Sequence, residues 1–126
     1  MTYLKAQALF DTARNKTKGK PIGRNTRLIQ VANNCYGIRF HNTTIMYIFK
    51  HNEYQYHTGG YYTVTTKQRM NQYGPIIIWS VKGQWYARYK DETIPYFDYL
   101  STTEWEVSKP KTETDYLDNI RNNFQD

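Results

Sequence analysis

Ala6, Leu9, Phe10 and Ala13 stand at i, i+3, i+4 and i+7, the spacing of one helical face, and predict a short amphipathic helix over residues 3–14. The apolar period then stops. Arg14, Lys16, Lys18, Lys20, Arg24 and Arg27 follow with no acid between them, and Gly19, Pro21 and Gly23 break regular structure, so residues 15–25 read as an extended basic linker. Beyond Arg27 the period becomes two. Leu28-Ile29-Gln30-Val31 is a candidate strand, with Asn33-Asn34 as a turn. Tyr36, Ile38 and Phe40 alternate with Gly37, Arg39 and His41, and His41-Asn42-Thr43 turns the chain. Ile45, Tyr47 and Phe49 then alternate with Met46, Ile48 and Lys50, and Tyr54 and Tyr56 resume the alternation after a polar break. Strict alternation marks half-buried strands, here arranged as a meander.

Gly59-Gly60 ends the meander. Thr65 is the expected cap of a helix, with Gln68 three residues on as its capping-box partner. Met70 and Tyr73 give that helix an inner face, and Gly74-Pro75 stops it. Ile76-Ile77-Ile78-Trp79 and Trp85-Tyr86-Ala87-Arg88-Tyr89 flank Lys82-Gly83-Gln84 as a hairpin. Ile76–Ile78 is apolar at consecutive positions, which predicts a central strand. After Lys90 the chain turns acidic, and Pro95 and Pro110 limit regular structure. Tyr116 or Leu117, Ile120 and Phe124 have helical spacing and predict a C-terminal helix over 113–124. The expected fold class is α+β: an antiparallel β-sheet of about five to six strands, a short helix between strands, and helices at both termini.

The length of 126 residues fits a single compact domain, with an N-terminal helix and basic linker (1–24), a β-rich core (25–90) and an acidic tail (91–126). Its 13 Tyr, 5 Phe and 3 Trp must supply much of the core, and each buried Tyr needs a partner for its hydroxyl. Charge divides by position. Residues 1–90 hold 14 Lys/Arg against 2 Asp/Glu, and residues 91–126 hold 3 against 9. A basic body draws phosphate and other polyanions, and an acidic segment can cover or compete for the same surface. Cys35 is the one cysteine, so no intrachain disulfide framework exists. No apolar run approaches membrane-spanning length, and the N-terminus lacks the order of a signal peptide.

The candidate chemistry is binding, with no catalytic residue, metal site or cofactor expected. Lys16, Lys18, Lys20, Arg24 and Arg27 can each meet a phosphate, and Lys67 and Arg69 follow a glycine-rich, hydroxyl-rich helix start that favours an anion. Tyr61 and Trp85 are candidates for base stacking, against the alternative that such rings simply pack the core. His41, His51 and His57 match no common zinc spacing. The tail acids form no recognisable catalytic pair.

Asn25-Thr26, the run Ile38-Arg39-Phe40-His41-Asn42-Thr43-Thr44-Ile45, the run from Thr58-Gly59-Gly60 through Lys67-Gln68-Arg69-Met70-Asn71, and the closing Gly83-Gln84-Trp85-Tyr86 resemble a widespread family of small tailed-phage proteins. That family shows an R-L-H-x-T-D-I segment, a G-G-W-x-T-V-T-T-K-x-R-[IM]-N segment and a closing G-x-W-Y. Phe40, Thr44 and Tyr61 stand here where Leu, Asp and Trp are usual. The resemblance covers residues 25–87 and implies phage origin, with no established biochemical role. Together with the charge, it leads to the expectation of a non-catalytic accessory protein in the host bacterial cytoplasm. Its partner would be nucleic acid or a nucleic-acid-bound host complex, in counter-defence or host takeover, with homo-oligomers allowed and no membrane. The alternatives are an inhibitor that occludes a host defence protein, binding through the acidic, aromatic tail, and a sponge for a nucleotide signal captured between subunits through the Gly59-Gly60 to Lys67 region.

Overall fold

In the computed structural model, which describes residues 1–105, the chain starts with helix α1, Tyr3–Asp11. Thr2 caps it by accepting from the Lys5 amide. The helix stops short of the predicted residue 14, because Thr12 and Ala13 close its last turn on Leu9 and Phe10. Ala6 and Phe10 face inward, and Phe10 packs on Tyr36 with ring centroids 5.6 Å apart.

Five antiparallel strands follow in sequential order: β1 Lys20–Gly23, β2 Thr26–Ala32, β3 Cys35–Phe40, β4 Thr43–Phe49 and β5 Glu53–Tyr56. The basic linker expected at 15–25 is therefore partly an edge strand. Gly19, at φ +86°, makes this pairing possible: a Cβ there would lie 2.4 Å from the Leu28 carbonyl oxygen. Pro21 is tolerated because an edge strand does not need every N–H. One face of the sheet carries Leu28, Tyr36, Ile38, Met46, Ile48, Tyr54 and Tyr56, all buried.

Helix α2, Val64–Tyr73, packs Met70 and Tyr73 into the same core. Its cap is Thr63, two residues before the expected Thr65. A second sheet follows, with order β6 (Ile77–Val81), β7 (Gln84–Tyr89), β8 (Glu92–Pro95). The central strand is β7, and β6 lies at the edge. Ile76 and Ile78 are buried while Ile77 is 57% exposed, so the isoleucine run obeys the strand period and covers only one face.

The start of the acidic segment belongs to the core. Ile94, Tyr96, Leu100 and Trp105 are buried. Tyr56 donates its amide to Leu100 O, and the Tyr99 and Thr102 amides reach back to Tyr56 O and Tyr54 O, so residues 99–102 run along β5. The Tyr56 hydroxyl accepts from the Ile76 amide at 3.1 Å, joining the first sheet to the chain entering the second. Burial pushes that hydroxyl far above the ordinary phenol range. The fold class is α+β as expected, with eight strands in two sheets among the described residues. The expected C-terminal helix over 113–124 lies outside the described residues.

Candidate functional site

Two turns and a helix start meet at one end of the five-stranded sheet. Asn25 closes the β1–β2 turn at φ 53°, and His41 opens the β3–β4 turn at φ 54°. The His41 amide donates to Asn25 O at 2.8 Å, fixing the turns side by side. Left-handed backbone is uncommon for non-glycine residues, with Asn and His among the more tolerant. Between and below these turns, Asn25, Arg27, Arg39, His41 and Asn42 line a hollow of about 220 Å³. Arg27 and Arg39 are direct cross-strand partners. Among the described residues neither pairs with a carboxylate. Like charges directly opposite each other destabilise a strand pair, so an anion between them would relieve the arrangement.

On the other side of His41 and Asn42 opens a cleft of about 490 Å³. Phe40, Thr43 and Ile45 form one wall, Thr58 and Tyr61 another, and Thr63, Thr65 and Thr66 at the start of α2 a third. The Thr63 hydroxyl accepts from the Thr66 amide at 3.2 Å and exchanges a 2.9 Å hydrogen bond with the Thr66 hydroxyl. The amides of the helix's first turn precede the intrahelical ladder and favour negative charge. Tyr61 is 64% exposed, with a ring face open to a ligand.

Asp98 anchors Thr58 behind the cleft wall. It accepts from the Thr58 amide at 2.8 Å, the Thr58 hydroxyl at 2.9 Å and the Tyr96 hydroxyl at 2.8 Å. Burial, and then the Asp98 charge, push the Tyr96 hydroxyl far above its ordinary range, so it stays a protonated donor. Gly59, at φ +65°, lies flat on Thr43, where a Cβ would come within 2.9 Å of Thr43 Cγ2.

The seven expected phosphate contacts fare differently. Arg27 lines the hollow, with its Nη1 donating to the Gly19 carbonyl at 3.3 Å. Lys16 turns back on α1, donating to the carbonyls of Phe10, Asp11 and Ala13 at 3.0, 2.7 and 3.0 Å, which makes it a helix C-cap. Lys18 and Arg24 are exposed, and Lys20 is half-buried in β1. Lys67 donates to Ser80 Oγ at 2.6 Å and lies over the Trp85 ring, so it faces the second sheet. Arg69 clamps α2 to the β1–β2 turn, donating to Thr26 Oγ1 at 3.1 Å, with its guanidinium over Phe40. Of the two stacking candidates, Tyr61 lines the cleft. Trp85 is 5% exposed and packed by Tyr62 and Tyr96, so it takes the packing alternative. Of the aromatics on the acidic segment, Trp105 is 3% exposed and its indole donates to Glu92 at 3.4 Å, whereas Tyr99 is 58% exposed.

The sequence marked the turn at His41 and the hydroxyl-rich start of α2, but not the pairing of Arg39 with Arg27, nor Asn25 as lining of the hollow and Thr43 as lining of the cleft. The segments that carry the phage resemblance, Arg39–Ile45 and Gly59 onward, converge here. Cys35 is buried, and burial pushes its thiol up, away from reactivity. Among the described residues no three His, Cys, Asp or Glu gather to hold a metal ion, and no helix is long and apolar enough to cross a membrane.

The chain belongs to the Kyanoviridae Gp96 protein family, a family of phage proteins whose family model matches residues 5–109. That match takes in most of α1, the basic run and β8 as well as the 25–87 core. No curated protein and no solved structure matches the chain.

Proposed function

We propose that this phage protein is a non-catalytic binder of nucleic acid. It would act on nucleic acid itself or on a nucleic-acid-bound complex of the host, in the bacterial cytoplasm, in counter-defence or host takeover. The observation that carries this reading is the adjacency of the Arg27–Arg39 hollow to the threonine-lined cleft. A phosphate between the two guanidiniums takes charge-assisted hydrogen bonds from both. The next nucleotide then reaches the cleft, where Tyr61 and His41 offer ring faces and the start of α2 offers hydroxyls and amides to a second phosphate.

Fluorescence anisotropy with labelled DNA and RNA across a salt series tests the proposal. Binding at low salt that weakens linearly in log salt is expected. No binding at low salt, or affinity indifferent to salt, overturns it.

The cleft's volume also supports a second reading, capture of a free nucleotide. At about 490 Å³ it lies within the roughly 300–1,000 Å³ of ordinary small-ligand pockets. Thermal shift with a nucleotide panel separates the two: a rise in melting temperature with micromolar nucleotide, without binding to strands, favours the second.

A further inference from the structure

The outer face of the five-stranded sheet is covered by neither described helix, since α1 and α2 both pack on the inner one. Register places its residues in rows. Arg27 and Arg39 form the row beside the cleft. In the next row Ile29 faces Gly37 and Gly37 faces Tyr47, and Phe49 follows two residues beyond Tyr47 on the same strand. Tyr47 and Phe49 are both half-buried, and their rings lie nearly parallel, 26° apart, with centroids separated by 6.4 Å. Gly37 is buried beneath its neighbours, because a Cβ there would come within 2.9 Å of Val31 and Thr44 methyls, so the Ile29 side of the row is closed over and the exposed part of the rings is what Tyr47 and Phe49 themselves present.

We infer that this face is a stacking platform for unpaired bases, so that the nucleic acid taken by the cleft is single-stranded. The inference rests on the reading proposed above and names its substrate. Two near-parallel aromatic faces on adjacent same-side positions of a strand offer π-surfaces to successive bases, and such stacking tolerates any sequence. The neighbouring arginine row is the complement of the strand's phosphates. A duplex has its bases already stacked inside and gains nothing from the platform. A second copy of this chain is disfavoured as the occupant because it brings further guanidiniums toward an arginine pair with no carboxylate partner among the described residues.

The test compares a fluorescein-labelled homothymidine strand with a duplex of equal length, using the full chain at low salt. Tyr47→Ala and Phe49→Ala should each weaken strand binding about tenfold and leave duplex binding unchanged, while Tyr47→Phe should keep wild-type affinity. Because truncation on a sheet can disturb folding, wild-type protein is also photo-cross-linked to a 5-bromodeoxyuridine strand, with adducts expected at Tyr47 or Phe49. Variants of wild-type melting temperature that bind the strand normally overturn the platform and leave the cleft reading standing. So do adducts confined to other strands, or a dimer that Tyr47→Ala dissociates without loss of strand affinity. Failure of the wild-type chain to bind either nucleic acid overturns both.

Discussion

The basic run of residues 14–24 and the arginine hollow are two positive regions of this molecule, and they acquire charge differently. The run is dense in sequence, yet its Lys16 is committed to helix carbonyls and its Lys20 to an edge strand. The hollow looks sparse in sequence, with Arg27 and Arg39 far apart, yet β2–β3 register sets them face to face. An anion responds to charges that converge in space, and here the turns and the register decide which charges converge. The acidic stretch teaches the same lesson from the other side. Although it carries like charges, residues 91–105 contribute a strand, four buried apolar side chains and the carboxylate that anchors Thr58 of the cleft wall.

The largest effect should come from treating that acidic stretch as an arm. Deleting residues 91–126 removes Ile94, Tyr96, Leu100 and Trp105 from the core and should abolish the cooperative melting transition in circular dichroism. Next, Asp98→Ala leaves the Thr58 and Tyr96 donors unsatisfied behind the cleft wall and should cost about 3 kcal/mol in urea unfolding. Gly59→Ala combines a positive φ with a 2.9 Å approach to Thr43 and should lower stability by about 2 kcal/mol, with nucleic-acid affinity falling as the loop lifts. The smallest effect belongs to the run. Lys16→Ala removes a C-cap and should cost about 1 kcal/mol of stability, with affinity changed less than about twofold. A Lys16→Ala variant that melts normally but loses binding would place the contact in the run after all.

What the sequence made legible was periodicity. The alternation through Tyr36, Ile38 and Phe40 and through Ile45, Tyr47 and Phe49 announces β3 and β4, and the spacing of Ala6 and Phe10 announces α1. Strand β1 was hidden because Gly19, Pro21 and Gly23 have the composition of a loop, and its pairing depends on a left-handed glycine that no local pattern reveals. Strand β8 was hidden because Glu92 and Pro95 mark polar, irregular chain. The hydroxyl-rich helix start was visible, but Thr63, Thr65 and Thr66 are equivalent caps by composition, and only the entry angle of the chain selects Thr63. The arginine hollow was illegible for a stronger reason: it is a product of register, which side-chain alternation constrains but turn geometry fixes.

The most direct measurement sets the two basic regions against each other. Nucleic-acid affinity is titrated against salt for Arg27→Ala/Arg39→Ala and for Lys18→Ala/Lys20→Ala, with melting temperatures checked for both. The account predicts that the arginine variant loses affinity tenfold or more and that its slope in log salt falls by about 1.5, while the lysine variant stays within about threefold of wild type. Equal losses in the two, or a larger loss in the lysine variant, would contradict it.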